Sequence, residues 1–137
     1  DKIVNEILEF ADIGEFINQP FKNYSSGMKA RLAFAVSVNI NPDILILDEV
    51  LSVGDATFKE KSASRMKDFF RQGKTILFVS HALPSIIELC SRAILVDKGE
   101  IIMDGLPEPV TKSYQKLVSP SSNYQQVRAD ILAGQFS

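Results

Sequence analysis

The stretch Asn23-Tyr-Ser-Ser-Gly-Met-Lys-Ala-Arg31 decides the interpretation of this sequence, together with the later run Ile44-Leu-Ile-Leu47 and the acids Asp48 and Glu49. A Ser-Ser-Gly turn that opens a helix offers backbone N–H groups and a positive helix end to an anion. An apolar run without alternation is typical of a strand covered on both faces in a parallel sheet. Carboxylates at the end of such a strand suit a metal ion and a water molecule.

A third element follows the second apolar run of the chain. His81 is the only histidine and comes two residues after the apolar strand Thr75–Val79. Ligands of parallel sheets bind at the carboxyl ends of the strands, so this position favours a functional histidine over a structural one. Turn, acids and histidine follow one another within 60 residues, and together they indicate phosphate chemistry.

Composition limits the class of protein. With 137 residues, of which 45% are hydrophobic and 23% charged, the chain has the size and core of one domain. Its net charge of -2 provides no broad positive field, so we expect no nucleic-acid partner. The single cysteine, Cys90, suits structural packing in a reducing compartment. No apolar run reaches the roughly 18 residues that would span a bilayer.

Periodicity predicts alternating helices and strands, and therefore an α/β fold with a mainly parallel sheet flanked by helices. Asp97-Lys98-Gly99 predicts a hairpin turn between the last two strands. The polar segment after Ser119 predicts a linker or mobile tail over residues 119–137. Helices are predicted over residues 1–11, 26–39, 56–71, from Pro84 to Cys90 and over 107–118, and strands over 44–47, 75–79, 93–96 and 100–103. Buried faces are predicted to include Ala30, Ala33, Phe34 and Val38 in one helix, and Phe58, Met66, Phe69 and Phe70 in the next.

These motifs, in this order, resemble the nucleotide-binding domain of ABC transporters as far as about Val118. Residues 24–28 look like the family's signature loop, and 44–49 look like Walker B. Residues 52–55 look like the D-loop, and His81 looks like the switch histidine. The resemblance implies part of a P-loop NTPase fold of ABC type, divided into a helical signature subdomain (1–40) and a catalytic α/β core (41–118).

The resemblance also implies residue roles. The signature residues would bind the γ-phosphate of ATP held by the opposite subunit. Asp48 would hold Mg²⁺, Glu49 would act as general base, and His81 would contact the γ-phosphate and that carboxylate. Asp55 would reach across the dimer interface, although a simple turn aspartate is the competing interpretation. The signature residues are Ser25, Ser26, Gly27 and Met28, of which Ser26 and Met28 stand where the family has glycine and glutamine.

Two expectations concern what the sequence lacks and what Arg31 does. The sequence contains no G-x-x-x-x-G-K motif, the phosphate cradle of such sites, and we expect it N-terminal to Asp1 in a longer polypeptide. The 137-residue chain alone is therefore predicted neither to bind ATP tightly nor to hydrolyse it. For Arg31, a role in stabilising the loop, a contact with the partner and a solvated side chain all remain open.

The signature, the residues after it and Leu51-Ser-Val-Gly-Asp55 look like the branch that exports cell-surface polysaccharides, teichoic acid above all. This implies a peripheral ATP-hydrolysing subunit at the cytoplasmic face of the membrane, working as a dimer with transmembrane permease subunits. Two alternatives remain: an ABC-type ATPase without a membrane channel, which would favour basic patches or coiled-coil insertions, and a non-enzymatic regulatory or interaction module.

Overall fold

In a computed structural model of the chain, residues 1–48 and 54–135 are described, and they form two compact units, Asp1–His81 and Ala82–Ser137. The described residues of the first unit form three α-helices and two strands, joined in part by short 3₁₀ helices at Gly14–Asn18 and Phe21–Asn23. In chain order its elements are α1 (Lys2–Ala11), α2 (Ser26–Asn39), β1 (Ile44–Asp48), α3 (Ala56–Arg71) and β2 (Thr75–Val79).

The first unit is built on a two-stranded parallel sheet. Strands β1 and β2 pair in register from Ile44 beside Thr75 to Asp48 beside Val79. Leu45 and Leu47 are buried, whereas the alternate residues Ile44 and Ile46 are exposed. The expectation of cover on both faces is therefore not met by the described residues, because one face of this strand pair remains open.

Aromatic rings from the three helices form the core of the first unit. The ring centroid of Phe34 in α2 lies 5.8 Å from that of Phe10 in α1 and 6.0 Å from that of Phe58 in α3. Lys61 of α3 donates hydrogen bonds to the carbonyls of Glu9 and Phe10, which satisfies acceptors at the end of α1. Phe34 therefore connects the three helices through its contacts with Phe10 and Phe58.

Two of the predicted buried positions are exposed, and a third, Ala30, is only partly buried. Ala33 is exposed and Ala35, two positions further along α2, is buried with Phe34 and Val38. In α3, Phe70 is 38% exposed while Phe58, Met66 and Phe69 are buried as predicted. Both errors fall at the margin of a buried face, where helical periodicity alone does not fix the width of the stripe.

The second unit combines a hairpin with three helices: α4 (Leu83–Leu89), β3 (Ala93–Asp97), β4 (Glu100–Gly105), α5 (Pro107–Val118) and α6 (Tyr124–Leu132). Strands β3 and β4 pair antiparallel around the Lys98-Gly99 turn, as predicted. Its core is aliphatic, and it consists of Leu95, Ile102, Met103, Val110, Leu117 and Ile131.

The end of the chain differs from the expected linker or mobile tail, because α6 folds onto this unit. Asn123 caps the helix by accepting a hydrogen bond from the N–H of Gln126, and Ile131 is buried in the aliphatic core. Tyr124 and Val127 pack against the same core. The polar residues before α6 suggested disorder, but one buried isoleucine and a helix cap hold it in place. The division into domains at residues 40 and 118 stays a prediction.

Candidate functional site

The signature loop, residues 24–28, forms the capped start of α2. Ser25 is the N-cap, and its hydroxyl accepts a hydrogen bond from the N–H of Met28 at 3.2 Å. The first bond within the helix runs from the N–H of Lys29 to the carbonyl of Ser25. The N–H groups of Ser26 and Gly27 therefore have no carbonyl to bond within the helix, and an anion is a suitable acceptor for them.

The surroundings of this loop favour an anion. The first turn of α2 contains no acidic side chain, so nothing there offsets the positive end of the helix. Ser25 and Ser26 are exposed, and buried Tyr24 anchors the loop, with its ring 5.4 Å from that of Phe21. The half-buried Met28 packs against the cluster that contains Tyr24. In this chain the residue that replaces glutamine therefore contributes to packing.

Asp48 and His81 both lie at the carboxyl end of the paired strands β1 and β2. Asp48 is the last residue of β1 and pairs with Val79, the last residue of β2. His81 follows Val79 by two residues, and adjacent strands lie about 4.8 Å apart. The parallel register thus places both residues at the carboxyl edge of the strand pair. Glu49 directly follows Asp48 in sequence but lies outside the described residues, as do Ser52 and Val53.

Asp55 caps α3 with one carboxylate oxygen and pairs with Arg31 through the other. Its Oδ1 accepts a hydrogen bond from the N–H of Phe58 at 2.9 Å, and its Oδ2 accepts one from Nη2 of Arg31 at 2.7 Å. The bond from Phe58 and then the Arg31 guanidinium hold the pKa of this carboxyl below its usual value. Asp55 is therefore more than a turn residue, and its reach across a dimer stays a prediction.

Arg31 is a partly buried connection rather than a solvated side chain. Only 17% of the side chain is exposed, and the guanidinium lies over the ring of Phe58, 4.9 Å from its centroid. Its Nη1 also donates to the carbonyl of Asp12. The sequence alone does not indicate this role, because Asp55 lies 24 positions away and no local pattern predicts a pairing at that distance.

Gly54, immediately before Asp55, fits its place for two reasons. Its φ of +101° lies in the region that side chains rarely adopt. A Cβ atom there would also lie 3.0 Å from Cδ1 of Phe58, the residue whose N–H donates to the N-cap Asp55. The glycine therefore permits the close approach of the loop to α3.

Metal-binding clusters and membrane-spanning helices can be examined in the described residues. Within residues 1–48 and 54–135, no group of three or more histidine, cysteine or acidic residues is arranged to hold a metal ion. Asp48 has an exposed carboxylate, which is the type of ligand that Mg²⁺ takes in proteins, and its role as a metal ligand stays a prediction. Among the helices in this part of the chain, none is both long and apolar enough to cross a bilayer.

Comparisons with known proteins confirm the resemblance. Residues 1–52 match the family described as ABC transporter. The chain is 54% identical over 118 residues to the ABC transporter protein AbcA of Aeromonas salmonicida, covering 86% of this chain and 38% of that protein. It is 53% identical over 118 residues to the teichoic acids export ATP-binding protein TagH of Listeria monocytogenes, covering 86% of this chain and 35% of that protein. The chain therefore spans little more than a third of the length of these relatives.

A solved structure confirms the fold class. The ATP-binding cassette MJ0796, in a dimeric post-hydrolysis state bound to ADP and Pi, superposes with a TM-score of 0.67 and 27% sequence identity. The match covers 78% of this chain and 47% of that one. The fold is thus part of an α/β P-loop NTPase of the ATP-binding cassette type.

Proposed function

From the premise that this chain is part of an ABC-type ATP-binding cassette, we propose that the complete protein hydrolyses ATP to drive export of a cell-surface polysaccharide such as teichoic acid. The observation that carries the proposal is the parallel register of β1 and β2, which brings Asp48 and His81 to one sheet edge. The names of the relatives support the exported substrate, since TagH is a teichoic acids export protein.

In the proposed mechanism, each subunit contributes two sets of groups. At the sheet edge, Asp48 would hold Mg²⁺, Glu49 would orient and deprotonate the attacking water, and His81 would contact the γ-phosphate. The ion would neutralise charge on the β- and γ-phosphates. A second copy of the chain would present Ser25, Ser26, Gly27 and Met28, whose capped helix start suits the γ-phosphate.

The proposed assembly consists of two copies of the ATP-binding subunit and transmembrane permease subunits, at the cytoplasmic face of the membrane. The dimeric state of the MJ0796 structure supports the pairing of two cassettes. The exposed apolar face of β1 and β2 would be covered by the remainder of the cassette, since parallel sheets are normally buried on both faces.

Glu49→Gln in the complete protein tests the chemistry. Loss of the base should lower kcat by about 100-fold or more, while ATP binding persists because the side-chain size is retained. The variant should accumulate an ATP-bound dimer, measured by size-exclusion chromatography. Turnover at the wild-type rate would remove Glu49 from the role of base.

Ser25→Arg tests the contribution of the second subunit. The added bulk and charge at the start of α2 should prevent dimer closure and hydrolysis, with nucleotide binding to one subunit mostly retained. Ser121→Arg is the matched control, because Ser121 is also exposed but lies between α5 and α6. An intact protein that is equally active as a strict monomer would refute the composite site.

Export is tested separately in cells whose own gene carries Glu49→Gln. The polysaccharide should then accumulate inside the cell and decrease at the surface, which chemical analysis of both fractions measures. Unchanged surface polysaccharide would contradict export while leaving ATP hydrolysis standing.

The 137-residue chain alone is expected to show neither micromolar ATP affinity nor turnover, because its sequence lacks the phosphate cradle.

A further inference from the structure

Arg31 connects three segments of the first unit. It lies in α2, six residues after the N-cap Ser25, and its Nη2 lies 2.7 Å from Oδ2 of Asp55 at the start of α3. Its Nη1 donates at 3.3 Å to the carbonyl of Asp12, the C-cap of α1. The guanidinium of Arg31 in α2 thus bonds both to the end of α1 and to the start of α3.

The geometry favours an arginine over a lysine at this position. The guanidinium presents donors in a planar fork and also stacks over the ring of Phe58, whereas an ammonium group offers one compact charge. Lysine could reach Asp55 or the Asp12 carbonyl, but it would not provide the flat, stacked contact together with both bonds. The side chain is 17% exposed, so its orientation is set by these contacts.

Both ends of the connection carry residues of the proposed site. At one end is the capped start of α2, with the N–H groups of Ser26 and Gly27. At the other is Asp55, whose Oδ1 is already committed to capping α3 and whose Oδ2 bonds to Arg31. The pair therefore fixes the carboxylate of the D-loop relative to the helix that carries the signature loop.

We propose that Arg31 is a positioning residue, which holds Asp55 and the start of α2 in one fixed arrangement so that both meet the opposite subunit together. The inference rests on the proposed function, because the arrangement matters only if two subunits share the nucleotide. It assigns to one residue the mechanical link between the signature loop and the D-loop within a subunit. The Asp55 side chain is 65% exposed, so the pair should matter more for turnover than for stability.

The test uses the complete protein and four variants: Arg31→Met, Arg31→Lys, Asp55→Asn and the double variant Arg31→Met/Asp55→Asn. Asparagine keeps the N-cap of α3 but removes the charge that pairs with Arg31. We expect Arg31→Met to lower kcat between about tenfold and a hundredfold, as small misplacements of catalytic groups do, with KM changed less than about twofold. Arg31→Lys should restore part of the lost kcat.

The double variant identifies the pair. If Arg31 acts through Asp55, the double variant should have a kcat no lower than that of the slower single variant. Arg71→Met is the matched control, since Arg71 also pairs with an aspartate but is 78% exposed at the end of α3. Its kcat should stay within about twofold of the wild type.

Several results would overturn the inference alone. They are a wild-type kcat for Arg31→Met or Asp55→Asn in a protein whose wild type is active, or fold-losses that multiply in the double variant. A drop in melting temperature without a drop in kcat would show a purely structural residue. A complete wild-type protein without ATPase activity would instead overturn the proposed function, and this inference with it.

Discussion

The two units use their polar side chains in different ways. In the first unit, Ser25 and Asp55 lie at helix starts and accept bonds from backbone N–H groups, and Asp48 ends a strand. In the second unit, Asp97 accepts hydrogen bonds from Tyr124 and Arg128, and Arg128 also pairs with Glu100. The polar side chains of the proposed site lie at the ends of helices and strands, and of these Asp55 also pairs with Arg31, whereas Asp97, Tyr124, Arg128 and Glu100 bond to one another within the second unit.

The two units also differ in the type of side chain that forms the core. Aromatic rings of α1, α2 and α3 meet around Phe34, while the second unit packs aliphatic side chains of the hairpin against α5 and α6. If the comparison is correct, activity should be lowered by variants at the helix starts and the sheet edge of the first unit, whereas variants of the second unit should change stability alone.

Phe34→Ala should have the largest effect. Phe34 is 1% exposed and contacts the rings of Phe10 and Phe58, so truncation should lower the free energy of unfolding by about 3–5 kcal/mol. Urea unfolding measures the loss, and hydrogen exchange should locate it in residues 1–81. Phe70→Ala, at a 38% exposed position of α3, is the control and should cost much less. An equal loss for both would refute the aromatic core.

Removing one helix cap from each unit distinguishes a cap in the proposed site from a cap that only stabilises its helix. Ser25 caps α2 and Asn123 caps α6, so Ser25→Ala and Asn123→Ala should each cost about 1 kcal/mol in thermal or chemical unfolding. Only Ser25→Ala should also lower the ATPase activity of the complete protein, because that cap belongs to the signature loop. A similar loss of activity in both variants would remove the functional distinction between the units.

Acid should weaken the second unit through its ion pairs. The hydrogen bond from Tyr124, and then Arg128, lowers the pKa of Asp97, and Arg92 lowers that of Asp104. Because their pKa values are lower in the folded state, the ionised carboxylates stabilise the fold at pH values above their ordinary pKa, which is near 3.8. This stabilisation is lost as the pH falls through the folded-state pKa. Arg128→Met should therefore be less stable than wild type at pH 7. The difference in melting temperature should shrink below pH 4, and a difference that is constant with pH would contradict the pairing.

The smallest effect is expected at the surface of α5. Lys112 and Glu108 form a pair at helical spacing, and both side chains are more than 60% exposed. Lys112→Met should change the free energy of unfolding by no more than about 0.5 kcal/mol, and less in high salt. We assign the stability of the second unit to its aliphatic core and to the contacts of Asp97. A larger loss of unfolding free energy that did not depend on salt would contradict this and give the Lys112–Glu108 pair a major part.

Much of the fold and part of the candidate site could be predicted locally. Helix α2 follows from the Ser-Ser-Gly start and the Asn-Pro stop, and β1 and β2 follow from their apolar runs. Helix α6 was missed because its capping asparagine sits in a polar segment, and the burial of Ile131 depends on a hairpin about 30 residues earlier.

The helices and strands of the first unit, their order and the residue types at their ends follow from local sequence, because capping and periodicity act over a few neighbouring residues. The position of Asp48 and His81 at one sheet edge depends instead on which strands pair and in which register, and this is visible only in the folded chain. The bond between Arg31 and Asp55 likewise depends on the fold, because two side chains 24 residues apart meet only when α2 and α3 pack together.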